Sequence, residues 1–177
     1  NRYKEHIKIN EKNVDVVIHS LDLSPISMRV ANSNDVDLYF TWANDEMVRH
    51  NSFQQDEIQY LNHVNWFTSK IENPQFLFLV FFNQDQSAIG QVRINNIEEE
   101  VIIGISVDKN YRGFGYSPKM LRLACQHFFK HYSENEIFAY IKIENKASIA
   151  TFKKAGFSQE QFVLVNNTES VKLKITK

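Results

Sequence analysis

The sequence holds little cysteine, proline or glycine: one, three and five residues respectively in 177. The single thiol, Cys125, cannot form an internal disulfide, and its place inside an apolar helix-like run reads as a small buried hydrophobe in a reducing compartment. An excess of charge is missing too. Twenty basic against 21 acidic residues leave a net charge of −1, so there is no basic footprint, and nucleic acid is excluded as a main partner. No apolar run is long enough to span a bilayer and no signal-peptide pattern is present, which reads as a cytoplasmic protein with no membrane partner. Internal repeats, low-complexity tracts and interdomain linkers are absent as well.

What the chain does contain is enough apolar surface, 43% hydrophobic and 13% aromatic residues, to bury the core of one globular domain. Residues 1–23 carry short apolar alternations (Ile7, Ile9; Val14, Val16, Ile18) and begin with Asn rather than Met. They read as a strand-forming arm or the remnant of a preceding segment, ahead of a domain over residues 24–177. Within that domain, Pro25 to Val30 reads as a strand, and Ser33 or Asn34 as the N-cap of a helix carrying Val36, Tyr39, Phe40 and Ala43. A second helix, Glu57 to Ile71, places Leu61, Val64, Phe67, Thr68 and Ile71 on one face, with Gln59, His63, Trp66 and Lys70 on its flank. Phe76–Phe82 and Ala88–Ile94 form a hairpin-like pair around a polar turn, and Glu98 to Glu100 read as a turn before a strand. Further strands are predicted at Ile137–Ile143, Phe157–Val165 and Ser170–Ile175, with a short helix from Asn145 to Ala155 that Gly156 terminates.

Two of the five glycines stand two residues apart, in Tyr111-Arg112-Gly113-Phe114-Gly115-Tyr116-Ser117. The run before them, Val101 to Val107, is β-branched and strand-like. The run after them is helical from Pro118, which suits a first turn, and Met120, Leu121, Leu123, Ala124 and Phe128 fall on one arc. Glycines there allow a tight turn and a close approach of backbone N–H groups to an anion at a helix N-terminus. A strand–turn–helix connection with glycine chosen only for the turn satisfies the same pattern.

Ile105-Ser106-Val107-Asp108-x-x-Tyr111-Arg112-Gly113-Phe114-Gly115, followed by Glu144-Asn145-x-x-Ser148-Ile149-x-x-Phe152-x-Lys154-x-Gly156-Phe157, resembles the two acetyl-CoA motifs of the GNAT superfamily of N-acetyltransferases. The resemblance runs from about Ile26 to Val165. It implies an α+β fold: a central, mostly antiparallel twisted sheet flanked by helices, with two central strands splayed where the cofactor's pantetheine arm inserts. It implies acetyl-CoA as co-substrate and no metal. It also implies that Ile105, Ser106 and Val107 offer backbone groups to pantetheine, and that the amides of Gly113, Phe114, Gly115, Tyr116 and Ser117 hold the pyrophosphate with Arg112 nearby. Asn145 and Ser148 would contact the pantetheine region, Phe152 would pack on it, and Lys153 or Lys154 would lie near a phosphate or simply in solvent. Two positions depart from the family pattern. Ser117 stands where Gly or Ala is usual, and Phe152 stands where many relatives carry a Tyr that protonates the leaving thiolate, a task for which Tyr140 and Tyr116 are the substitutes by residue type.

Acetyl transfer to an amine needs that amine neutral, so a base is sought. His63 is the candidate by type, either as base or as a packed structural residue. Glu100, with Glu98 and Glu99, is either an acid acting through water or part of a solvated turn. For the acceptor, Trp42 and Asn44, Arg49 and Asn51, His63 and Trp66, and Gln91 and Arg93 resemble the corresponding segments of GNAT enzymes that acetylate nucleotide-linked amino-deoxysugars in surface-glycan pathways, of the pseudaminic-acid type. Aromatic faces suit a sugar or base ring, while Arg49 and Arg93 suit a diphosphate or sugar hydroxyls; a strand-face ion pair is the other reading of Arg93. The acceptor alternatives are a protein N-terminus or a polyamine, or no acceptor at all in a non-catalytic acetyl-CoA-binding module. A homodimer is compatible with the sequence.

Overall fold

The computed structural model describes residues 5–9, 12–16, 25–97 and 100–177. Glu98 and Glu99, read above as part of a turn, lie outside the described residues, as do most of residues 1–24. Strands β1 (Glu5–Ile9) and β2 (Lys12–Val16) pair antiparallel as a two-stranded sheet. The remaining strands are β3 (Ser27–Val30), β4 (Phe76–Phe82), β5 (Ala88–Ile97), β6 (Glu100–Val107), β7 (Glu136–Lys142), β8 (Ser158–Val165) and β9 (Thr168–Thr176). They form one seven-stranded sheet in the order β3-β4-β5-β6-β7-β9-β8. Every neighbouring pair is antiparallel except β6 and β7, which run parallel. This is the mixed, mostly antiparallel sheet that the resemblance implies.

The two faces of this sheet differ in kind. On one face, Leu77, Leu79, Phe81, Val92, Ile94, Val101, Ile103, Ile137, Ala139, Val171 and Leu173 alternate inward to meet helices α4 (Tyr116–His131) and α5 (Lys146–Ala155). Met120 and Leu121 of α4 are fully buried there, and each contributes about 1.5–3 kcal/mol by leaving water. Cys125 is buried in the same layer as expected, and desolvation pushes its thiol up to about 12, so it is not a nucleophile. On the opposite face, Phe78 and Val80 pack with Ala31, Tyr39, Trp42 and Phe67 beneath α1 (Val36–Ala43) and α3 (Tyr60–Ile71). The run Phe76 to Phe82 is apolar throughout because both of its faces are covered.

Several local readings change. Asn32, rather than Ser33 or Asn34, caps the N-terminal turn, in a capping box with Asp35, whose carboxylate also pairs with Arg29 at 2.7 Å. Helix α3 begins at Tyr60 and is rotated: Leu61 is 74% exposed, while His63 and Phe67 are buried and Trp66 is half-buried. Aromatic contacts fix that rotation, since Phe67 packs on Tyr39 and Phe78, and Trp66 stacks on Phe78; rings bury more area than the Leu61 side chain. A short helix, α2 (Glu46–Asn51), was not foreseen; Asp45 caps it by accepting from the Val48 amide at 3.1 Å.

Candidate functional site

Strands β6 and β7 share one bridged pair, Ile102 with Phe138, and no ladder beyond it. Downstream, Ile103 to Val107 are paired on the β5 side only, so the backbone groups of β6 that point toward β7 have no strand partner. An extended ligand with amides of its own can dock there as an added strand does. The expected splay is present, and Ile105, Ser106 and Val107 line it.

The chain leaves β6 through Asp108 and a turn at Lys109–Tyr111, then reaches Gly113 and Gly115 at φ 81° and 78°, the left-handed region that favours glycine. A Cβ built at either glycine meets nothing within 4 Å, so both face open space. Gly115 is the N-cap residue of α4 and gives it no side-chain cap; the first amides of a 16-residue helix therefore have no side-chain acceptor at that position, which is the requirement of an anion cradle. Phe114 is exposed and stacked on Tyr116, which is buried.

Arg112 does not extend into that cradle. Its Nε donates to the Val107 carbonyl at 3.0 Å and its Nη2 to Asp45, so it fastens the loop to α2. Asn145 caps α5 by accepting from the Ser148 amide at 3.1 Å. Phe152 is 3% exposed and meets Phe157 edge-on, inside the core rather than on a groove wall. Lys153 pairs with Glu160, while Lys154 is exposed and its carbonyl accepts from Arg122 at 2.9 Å.

The acceptor residues divide into two sets. Trp42 is buried and donates its indole N–H to Asp108 at 3.0 Å. Asn44 exchanges two hydrogen bonds with the backbone of Ile58, and Asn51 donates to the Met47 carbonyl. These three hold α1, α2 and the loop before α3 in place. The second set meets on the sheet. Gln91, Arg93 and Asn95 alternate along β5 on the α1–α3 face, opposite Ser106, Gly104 and Ile102 of β6. Gln91 donates to Ser106 Oγ at 3.2 Å and Arg93 lies over the Trp66 ring. Arg49 donates through Nη1 to the Gln54 and Asp56 carbonyls and through Nη2 to Ser52 Oγ; burial holds the Arg93 guanidinium below its usual value, Tyr39 opposes this and the Arg49 charge adds to it. Four side-chain atoms of this group are buried without a hydrogen-bond partner: Arg49 Nε, Gln91 Oε1, Arg93 Nε and Asn95 Oδ1. Unpaired buried polar atoms are costly.

Both candidate bases are otherwise engaged. His63 is 2% exposed, ringed by Phe40, Trp66 and Phe67, with its Nε2–H donating to the Val36 carbonyl at 2.9 Å. Burial keeps its pKa below the ordinary histidine value despite that bond; the structure makes it a packed neutral imidazole, the second of the two readings. Glu100 lies in β6 rather than in a turn, 2.6 Å from Lys172 Nζ and in a short bond from the Tyr140 hydroxyl. Lys172 first and Tyr140 second hold its carboxyl below the usual range, which weakens it as a base.

Sequence reasoning missed Asn95, Gly104, Asp45 and Lys142. Asn95 continues the period-2 alternation of Gln91 and Arg93 and was open to discovery. Lys142 was not, since a lysine ending a strand reads as solvated; here it is 5% exposed and donates to the His50 carbonyl at 2.8 Å.

The acetyltransferase (GNAT) domain family matches residues 26–158. No curated protein matches the chain in sequence. Among solved structures, spermidine N-acetyltransferase from Vibrio cholerae in complex with CoA and spermine is 14% identical, with a TM-score of 0.76, covering 85% of this chain and 95% of its own. An aminoglycoside acetyltransferase in complex with coenzyme A and kanamycin is 15% identical, with a TM-score of 0.74, covering 86% of this chain and 95% of its own. At these identities the likeness establishes the fold. Among the described residues no helix is long and apolar enough to cross a membrane, and no group of three metal-ligating side chains converges.

Proposed function

This chain belongs to the GNAT acetyltransferase family, and on that footing we propose that it acetylates the amine of a nucleotide-linked amino-deoxysugar. It is an acetyl-CoA-dependent N-acetyltransferase. The β6–β7 slot and the uncapped start of α4 fit the donor: Ile105 to Val107 would hold the pantetheine arm, and the amides from Gly113 to Ser117 its pyrophosphate. Bound there, acetyl-CoA supplies an activated acyl group to an amine held beside it.

The observation that carries the acceptor reading is the positive charge of Arg93 on β5, the strand paired with β6 beside that slot. Arg93 lies over the Trp66 ring with its Nε buried and unpaired, and among the described residues no carboxylate pairs with it; Arg49 Nε is also unpaired, while its Nη1 donates to the Gln54 and Asp56 carbonyls and its Nη2 to Ser52 Oγ. Glu100, at the start of β6, is already engaged by Lys172. Two guanidiniums favour an anionic acceptor such as a sugar diphosphate and disfavour a polycation. Gln91 Oε1 and Asn95 Oδ1 add acceptors for sugar hydroxyls, and the half-buried Trp66 offers a ring face.

A second reading, acetylation of a polyamine, is favoured by the likeness to the spermidine enzyme. A panel of acceptors with detection of released thiol separates the two. Turnover of a nucleotide-linked aminosugar with little on spermidine supports the proposal, and the reverse order overturns it. Thiol release with a peptide N-terminus as the preferred acceptor also overturns it.

A further inference from the structure

Helix α2 is tied at both ends to the strands that border the β6–β7 slot. Its cap residue, Asp45, accepts from Arg112 Nη2, and the same guanidinium donates through Nε to the carbonyl of Val107, the last residue of β6. At the other end, Lys142, the last residue of β7, donates to the carbonyl of His50. Because β6 and β7 are parallel, their last residues lie at the same end of the sheet. The helix therefore joins two strands that no ladder hydrogen bond joins at that end.

Its length matches the task. Six residues, Glu46 to Asn51, span about 9 Å at 1.5 Å per residue. Neighbouring strands lie about 4.8 Å apart, so a gap that admits one extra extended chain is about 9.6 Å wide. The ties are also built to persist. Lys142 is buried, and its ammonium sits on a helix C-terminal carbonyl, where positive charge is favoured. Burial alone would raise the Asp45 carboxyl, but Arg112 and the amides of Val48 and Met47 outweigh it and hold the group below its usual range. The Asp45 end of its tie to Arg112 is thus a carboxylate at neutral pH.

We propose that α2 is a spacer strap: Asp45 and Lys142 are positioning residues that hold the slot at the width of one inserted chain and keep Arg49 over its acceptor end. The inference rests on the donor reading above, which assigns the slot to the pantetheine arm. Neither residue is asked to touch a ligand.

Calorimetric titration of the full chain with acetyl-CoA, and with 3′-phosphoadenosine 5′-diphosphate, which reaches the glycine loop but has no pantetheine arm, tests it. Lys142→Met weakens acetyl-CoA binding about tenfold or more, the worth of a hydrogen bond to a charged group, and leaves the nucleotide fragment unchanged; Lys142→Arg restores binding. Asp45→Asn, at the other tie, weakens acetyl-CoA by more than it weakens the nucleotide fragment, and serves if Lys142→Met folds poorly. Equal losses for both ligands, or no loss for acetyl-CoA, overturn the strap. If the wild type binds neither ligand, the donor reading fails and the strap falls with it.

Discussion

The guanidinium carbon of Arg93 lies 5.4 Å from the centre of the Trp66 ring, and its Nε is buried without a partner. Among the described residues no carboxylate pairs with this arginine, and the Trp66 ring face is the compensation that the structure shows. Replacing Arg93 with Ala is expected to raise the acceptor KM about 10- to 100-fold while acetyl-CoA affinity stays unchanged. Arg93→Lys is expected to recover only part of the loss, because a lysine keeps the charge without the planar fork. Steady-state kinetics with each substrate varied in turn checks both.

Gly115 carries the donor side. At φ 78° it occupies a conformation that β-branched residues avoid, and a side chain there would project into the space left for an anion. Gly115→Val is expected to weaken acetyl-CoA binding by tenfold or more, on the order of 1.4 kcal/mol, as read by calorimetry. Unchanged affinity would sink the phosphate role of the loop.

Gly90 carries the register of β5 on β6. A Cβ at this position would lie 2.4 Å from the Ser106 carbonyl oxygen and 3.0 Å from the Val107 Cα, both backbone atoms that cannot swing aside. Gly90→Ala is expected to cost about 1–3 kcal/mol of stability, as overpacking does, and to weaken acetyl-CoA binding together with it, because the displaced strand is the one that lines the slot. Urea unfolding and calorimetry measure the two effects.

His63 sets a pH dependence of stability rather than of rate. Its folded pKa lies below the unfolded value of about 6.5 because burial disfavours the charged ring, so the unfolded chain binds more protons as pH falls. The contribution is complete above the unfolded pKa and is lost as pH falls through the folded one. The thermal midpoint is expected to decline from about pH 6.5 downward, with a shallower decline in His63→Gln. The acidic limb of kcat/KM is expected to be the same in both proteins, and a limb that disappears with His63 would reinstate it as the base.

The sheet was largely legible in the sequence because its strands carry strong period-2 or continuous apolar runs, as at Phe76–Phe82 and Val101–Val107. The glycine loop and the Gly156 helix end were legible because both depend on local backbone chemistry, a left-handed φ that glycine adopts. The roles of His63 and Trp42 were not. Residue type left His63 open between base and packed residue and read Trp42 as facing a ligand, yet a ring satisfied by one distant partner, the Val36 carbonyl or the Asp108 carboxylate, is recognisable only once α1, α3 and the loop after β6 are brought together. Helix α2 is six residues long with no buried residue, too short for a periodic signal, and its ends are fixed by contacts as distant in sequence as Lys142. Arg93 was legible as a candidate, whereas its lack of a carboxylate partner among the described residues appears only in three dimensions.

The central claim, that the pocket beside the slot takes an amine carried on an anionic nucleotide, is tested most directly by one comparison. It is kcat/KM for the same aminosugar with and without its nucleotide diphosphate, in the wild type and in Arg93→Ala. The account predicts a preference for the nucleotide-linked form of about 100-fold or more in the wild type, from two charge-assisted contacts, and a collapse of most of that preference in the variant. A wild type that acetylates the free sugar, or spermidine, as well as the nucleotide-linked form would contradict it.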